Sequence, residues 1–196
     1  MVIRPVVLDG TVVRLEPLSL DHLPGLIEIG LEPELWRWTT QVVRTPEEME
    51  TYVRGALAEQ EAGRALPFAT IEQASGRVAG STRFAAIEPA HRRVEIGWTW
   101  LASRWQRTAM NTEAKYLMLR HAFEQWGCVR VEFKTDVRNT RSRQALLRIG
   151  AKEEGTLRSH IITATGRIRD TVYFSVLASE WPAVRAALEA KLHTRG

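Results

Sequence analysis

Two stretches of this chain, residues 93–101 and 128–135, alternate their side chains with a period of two, and a run with helical spacing separates them. In the first, Val94, Ile96, Trp98 and Trp100 are expected on one face and Arg93, Glu95, Gly97 and Thr99 on the other. In the second, Val129, Val131, Phe133 and Thr135 oppose Arg130, Glu132 and Lys134. Between them Ala114, Leu117, Met118, His121 and Ala122 form an apolar stripe on a helix spanning 111–126, which Gly127 ends. Strands joined through a helix lie parallel by a right-handed crossover. The chain must therefore build a sheet with a parallel pair and a helix packed over it.

The flanking segments are antiparallel in character. A strand at 11–16 stops at Pro17, and a helix over 20–30 follows an N-cap at Ser19. Thr45, Pro46 and Glu48 have the spacing of a capping box and launch a helix reaching about residue 62. Strands at 66–71 and 78–87 form a hairpin about Ser75-Gly76. After the second half of the parallel pair come a helix at 139–149 and strands at 155–163 and 167–177, joined near Thr165-Gly166. A last helix starts at Ser179. The expected class is α/β (α+β), with a mixed, mostly antiparallel sheet flanked by helices.

At 196 residues the chain suits one domain, 1–196, with a core of useful size. Cys128 is the only cysteine, so no internal disulfide forms, and no Cys/His spacing suggests a metal; a cytoplasmic setting is the expectation. No run is long and apolar enough to span a bilayer. The net charge of +4 arises from 27 basic and 23 acidic residues that are interspersed, a pattern unlike a nucleic-acid stripe.

The segment from Trp98 to Ala114 runs strand, short basic loop, helix start. Such a helix start offers unpaired amides and a positive dipole end, both of which favour an anion. Arg104 and Arg107 add charge, and Gln106 can donate hydrogen bonds. Three segments together resemble the GNAT superfamily of N-acetyltransferases, in its Rim-type branch of ribosomal-protein N-terminal acetyltransferases: Glu95-Ile96-Gly97-Trp98-Thr99-Trp100-Leu101, Gln106-Arg107-Thr108-Ala109-Met110-Asn111-Thr112-Glu113-Ala114, and Asn139 to Ala151. The middle one is similar to that family's Gln-x-x-Gly-x-Gly/Ala loop, with Arg107 where glycine is common and Ala109 and Asn111 at its small-residue positions.

The resemblance implies the GNAT fold, with the fourth and fifth strands splayed apart, and acetyl-CoA as cosubstrate without a metal. It implies backbone contacts from Thr99, Trp100 and Leu101 to the pantetheine arm. The pyrophosphate would meet Gln106, Arg107, Thr108, Ala109, Met110, Asn111 and Thr112, and Asn139 and Ser142 would supply further contacts. Acetyl transfer to an amine needs a base, an oxyanion site and a proton for the thiolate. Glu95 is the candidate base, by its place on the polar face beside Gly97; pairing with a nearby arginine is the alternative. The family's usual tyrosine after the fifth strand is absent, which leaves Ser142 and Tyr173 as acid candidates.

The resemblance places the acceptor against Trp36, Trp38, Arg158, His160, Asp170 and Tyr173, with Glu95 at its amine. The tryptophans form either an aromatic wall or anchors of their loop to the core. The expected acceptor is a peptide N-terminus, an amino acid or a small amine; neither nucleic acid nor membrane is a partner, and a homodimer is compatible with the branch. The alternative function is a CoA-binding module with little or no catalysis.

Overall fold

A computed structural model describes residues 1–193. Its strands are β1 (Leu8–Asp9), β2 (Val13–Pro17), β3 (Leu66–Glu72), β4 (Val78–Glu88), β5 (Arg93–Leu101), β6 (Arg130–Asp136), β7 (Lys152–Ile162) and β8 (Ile168–Leu177). The helices are α1 (Leu23–Gly30), α2 (Pro33–Trp36), α3 (Pro46–Glu61), α4 (Met110–Arg120), α5 (Thr140–Arg148) and α6 (Trp181–His193). All eight strands form one sheet in the order β1-β2-β3-β4-β5-β6-β8-β7, and the β5–β6 pair alone is parallel.

Local chemistry accounts for the element ends. Thr45 caps α3 by accepting from the Glu48 amide, while the Glu48 carboxylate reaches back to the Arg44 amide, one residue before the position of a strict capping box. The helix expected over 20–30 opens instead with a 3-10 turn at Leu20–His22, where the Ser19 amide donates to His22 Nδ1. The segment read as a loop at Trp36 carries the short α2. The helix expected over 111–126 divides into α4 and a widened turn at His121–Gln125, in which His121 packs between Phe84 and Trp126.

Phe68, Phe84, Phe133 and Phe174 are fully buried at the middle of the sheet, each contributing on the order of 1.5–3 kcal/mol of apolar burial. Trp36, Tyr52 and Trp100 pack together where α2 and α3 meet the sheet. The opposite face carries α4 and α6, where Phe123 stacks on Trp181. Among the described residues no helix is long and apolar enough to cross a membrane.

Candidate active site

Strands β5 and β6 pair at only three positions, Arg93↔Arg130, Val94↔Val131 and Glu95↔Glu132. Beyond Glu95, β5 continues to Leu101 and β6 to Asp136 with no pairing between them. The parted strands leave a row of main-chain groups on one edge of β5, which an extended ligand can pair as an added strand would.

A bulge inside the parted half re-aims the side chains of β5. Trp98 has φ +49°, and the pairing with β4 shifts so that Gly97 lies opposite Arg83 while Trp100 lies opposite Ser81. The sequence expectation that Trp98 and Trp100 share a face with Val94 and Ile96 is overturned by this extra residue. Trp98 is 41% exposed and lies against the Arg83 guanidinium, and Trp100 packs on Trp36. Thr99 now faces α4, bonding Thr82 and Lys115 through its hydroxyl. The bulge also needs Gly80, because a Cβ there would lie 2.0 Å from the Trp100 carbonyl oxygen.

Glu95 sits at the fork, 5% exposed, with Lys134 Nζ 2.7 Å from its carboxylate. Burial raises the Glu95 pKa above the ordinary carboxylate value, against the opposing pull of Lys134, and the neighbouring charge of Glu132 adds to the rise. Lys134 lies opposite Tyr173 in the β6–β8 register and 5.1 Å from its ring centroid. Tyr173 in turn meets the His160 ring edge-on at 5.9 Å. A chain of contacts, Glu95 to Lys134 to Tyr173 to His160, thus crosses four strands. Lys134 was visible in the sequence only as a polar-face neighbour; its pairing with Glu95 depends on the register of a parallel pair that periodicity leaves unspecified.

The loop after β5 is shaped by its own side chains. Arg107 takes φ +64°, the left-handed conformation that glycine adopts without steric cost, so the turn keeps a glycine-like shape despite the arginine. Thr108 Oγ1 donates to the Trp105 carbonyl and accepts from the Met110 amide, which fixes the start of α4. The amides of Asn111 and Thr112 make no hydrogen bond to the loop before them. Gln106 donates through Nε2 to the Leu101 carbonyl, at 2.8 Å, and its Oε1 accepts from Arg141 at 3.4 Å. That contact joins the first turn of α5 to the loop. Arg104 lies over the Trp105 ring at 3.8 Å. An open strand edge, free amides and three nearby arginines suit a ligand with an extended amide arm and an anionic end.

Asn139 caps α5, its Oδ1 accepting from the Ser142 amide at 3.0 Å. Trp36 is 3% exposed, with Nε1 donating to the Gly30 carbonyl. It anchors its loop to the core, which resolves the two sequence readings of that residue. Trp38 is partly exposed, and the guanidinium groups of Arg37, Arg138 and Arg167 lie 5.0, 5.3 and 5.6 Å from its ring centroid. Asp136, buried at the C-terminal end of β6, pairs with Arg167 at 2.5 Å. Asp170 accepts from the Ser159 amide.

Three groups in the region escaped sequence reasoning. Glu113 accepts hydrogen bonds from the amides of Thr11, Val12 and Val13 at 2.9, 2.7 and 2.7 Å, tying α4 to the first strands. Lys115 is buried against Thr82 and Thr99, and burial brings its pKa down to about 7. Arg83 is 5% exposed inside the sheet. Single charges within apolar runs carry no periodic signal. Cys128 is buried, and desolvation pushes its thiol up to about 11, which argues against a thiolate nucleophile. Among the described residues no group of three or more His, Cys, Asp or Glu side chains could hold a metal ion.

Residues 13–152 match the family model for an acetyltransferase (GNAT) domain. The chain is 29% identical over 174 residues to YdaF of Bacillus subtilis (strain 168), provisionally named a ribosomal N-acetyltransferase, covering 87% of this chain and 92% of that one. A crystal structure from T. thermophilus, of a protein provisionally called an acetyltransferase, superposes with a TM-score of 0.89 at 40% identity, covering 98% of this chain and 100% of the other. Mycobacterium smegmatis RimJ in complex with CoA-disulfide superposes with a TM-score of 0.80 at 26% identity, covering 95% and 92%.

Proposed function

Because this chain belongs to the GNAT family of acetyltransferases, we propose that it moves the acetyl group of acetyl-CoA to a primary amine, by direct attack with both substrates bound. The observation that carries the reading is the position of Glu95: a buried carboxylate with a raised pKa, at the point where the parallel pair parts. The ion pair with Lys134 does not by itself require that location, whereas a base for an amine must stand beside the open strand edge.

Thr99, Trp100 and Leu101 would offer backbone partners to the pantetheine arm along the edge of β5. Residues 106–112, with the amides of Asn111 and Thr112 free and Arg107 and Arg141 at hand, would hold the pyrophosphate. The Asn139 side-chain nitrogen, not used in the cap, remains for a further contact. Glu95 takes a proton from the attacking amine, directly or through water. Main-chain N–H groups on the parted half of β5 stabilise the oxyanion. Ser142 on the cofactor side and Tyr173 on the acceptor side are the proposed proton donors for the departing thiolate. Trp38, His160 and Tyr173 border the acceptor, and the likeness to ribosomal N-acetyltransferases supports a peptide N-terminus over a small free amine. A cytoplasmic location fits that acceptor.

The test is thiol release from acetyl-CoA with a panel of peptides, amino acids and small amines, with product masses read alongside. Stoichiometric release with one added acetyl on an amine is the expected result. Tight acetyl-CoA binding with no release on any amine would replace this reading with that of a CoA-binding module.

A further inference from the structure

Arg83 is the one arginine of β4, and the sheet buries it. Its guanidinium lies between two aromatic rings, 5.2 Å from the Tyr52 centroid and 5.1 Å from that of Trp98. It is 5% exposed, and its Nε and Nη2 are buried with no hydrogen-bond partner among the described residues. Of the two carboxylates in the cleft beside it, Glu59 is committed to Arg64 through two hydrogen bonds of 2.8 Å each and Glu88 pairs with Arg93 at 3.9 Å. A cation held in the interior with two unused donors is costly unless something supplies the acceptors.

The same side chain lines a cleft of about 540 Å³ between α3 and the β4–β5 ribbon, with Tyr52, Glu59, Ala85 and Trp98 in its wall. That cleft lies on the Glu95 face. Arg83 stands opposite Gly97 and Glu95 opposite Ala85 in the β4–β5 register, so the two charged residues are diagonal neighbours about 7 Å apart along the strands. Gly97 leaves the surface between them bare; a Cβ there would lie 2.9 Å from the Glu95 carboxylate. The bulge that gives Trp98 its positive φ is what turns that ring onto Arg83.

We propose that Arg83 is the acceptor's carboxylate receptor: the substrate amine carries a carboxylate that Nε and Nη2 bind while the amine faces Glu95. A guanidinium presents adjacent donors in a plane that matches a carboxylate, and the flanking rings hold that plane in place. The inference rests on the proposed acetyl transfer and narrows its acceptor. The carboxylate is either the α-carboxylate of a free amino acid or an acidic side chain at a peptide N-terminus.

Two matched pairs of probes separate those sources: alanine against alaninamide, and aspartyl-alaninamide against asparaginyl-alaninamide. Binding to the CoA-loaded protein is read first by calorimetry, and acetylation second by thiol release. In one pair the carboxylate is expected to bind at least tenfold better than its amide, and which pair it is identifies the source. Arg83→Gln is expected to erase that preference while leaving acetyl-CoA affinity unchanged, and Arg83→Lys to restore part of it. Equal binding within both pairs, or a preference that survives in Arg83→Gln, overturns the proposal. Should the glutamine variant fail to fold, the wild-type comparison decides alone. Carboxylate-dependent binding without acetylation of any probe or amine would sink the transfer reading and leave the receptor standing.

Discussion

Glu95 and Glu132 form the last pair of the parallel ladder, two carboxylates side by side where β5 and β6 part. Their neutralisation differs. Glu132 is held by Arg93 and Arg130, at 3.2 and 2.8 Å, while Glu95 makes its ion pair with Lys134 and feels the charge of Arg169 more weakly. The arrangement leaves Glu95 with a raised pKa, and the direction in which each neighbour pushes it is fixed by charge. The acid limb of kcat/KM should therefore track Glu95. Removing the Lys134 charge with Lys134→Met is expected to move that limb to higher pH. Glu95→Gln should abolish the limb and lower kcat by about 10²-fold, the usual scale of a lost general base. Steady-state rates across pH check both. An unchanged profile in Glu95→Gln would reject the base role.

Arg107 combines a charge with a conformation suited to glycine, and the two are separable. Arg107→Gly should relieve the left-handed backbone and raise stability by about 0.5–1 kcal/mol, whereas Arg107→Ala should not. Both variants lose the cation, so both should bind acetyl-CoA several-fold more weakly. Chemical denaturation and calorimetry measure the two effects independently. Weaker binding in the alanine variant alone would mean that loop shape, rather than charge, governs the contact.

Much of this architecture was legible because periodicity, caps and crossover handedness are local or near-local signals. The alternation at 93–101 and the helical stripe that follows it placed the parallel pair, and Thr45-Pro46 placed α3 to within a residue. What failed has separate physical causes. A single positive φ at Trp98 reversed the side-chain faces for the rest of β5, since one inserted residue in a period of two exchanges inside and outside. The two-residue β1 was too short to alternate. Lys134, Arg83 and Lys115 became recognisable only when partners from distant strands and helices stood beside them. The alternation of the strand put Glu95 forward, the resemblance to GNAT proteins pointed to residues 106–112, and the register supplied what surrounds them.

Glu113 shows how a residue inside the cofactor-like motif can serve the fold. Its carboxylate satisfies three consecutive amides of the turn between β1 and β2. Glu113→Ala would leave the Val13 amide unpaired in a buried place and take the carboxylate from the partly buried bonds of Thr11 and Val12, at a cost of about 2–4 kcal/mol given the strength of charge-assisted bonds. The melting temperature should fall by several degrees, and hydrogen exchange should rise at residues 8–13 before it rises elsewhere. Acetyl-CoA affinity measured well below the melting point should change little. A large loss of affinity without loss of stability would assign Glu113 to the ligand instead.

Lys115 makes a pH-dependent contribution whose sign can be worked out. Its folded pKa is about 7 against an ordinary 10.5, because the side chain is buried against threonine hydroxyls with no carboxylate to hold its charge. Between those values the unfolded chain holds a proton that the folded chain has released. Stability must then rise with pH across that window, at a slope approaching about 1.4 kcal/mol per pH unit. Below pH 7 both states are charged, and the full cost of burying the ammonium is present. Lys115→Met keeps the stem in its apolar setting and removes the titration. Urea midpoints of the two proteins, compared from pH 6 to pH 10, should show the variant more stable at the acid end and the difference shrinking as pH rises. Parallel curves would mean that Lys115 keeps its charge in the folded protein, stabilised by its bond to Thr99.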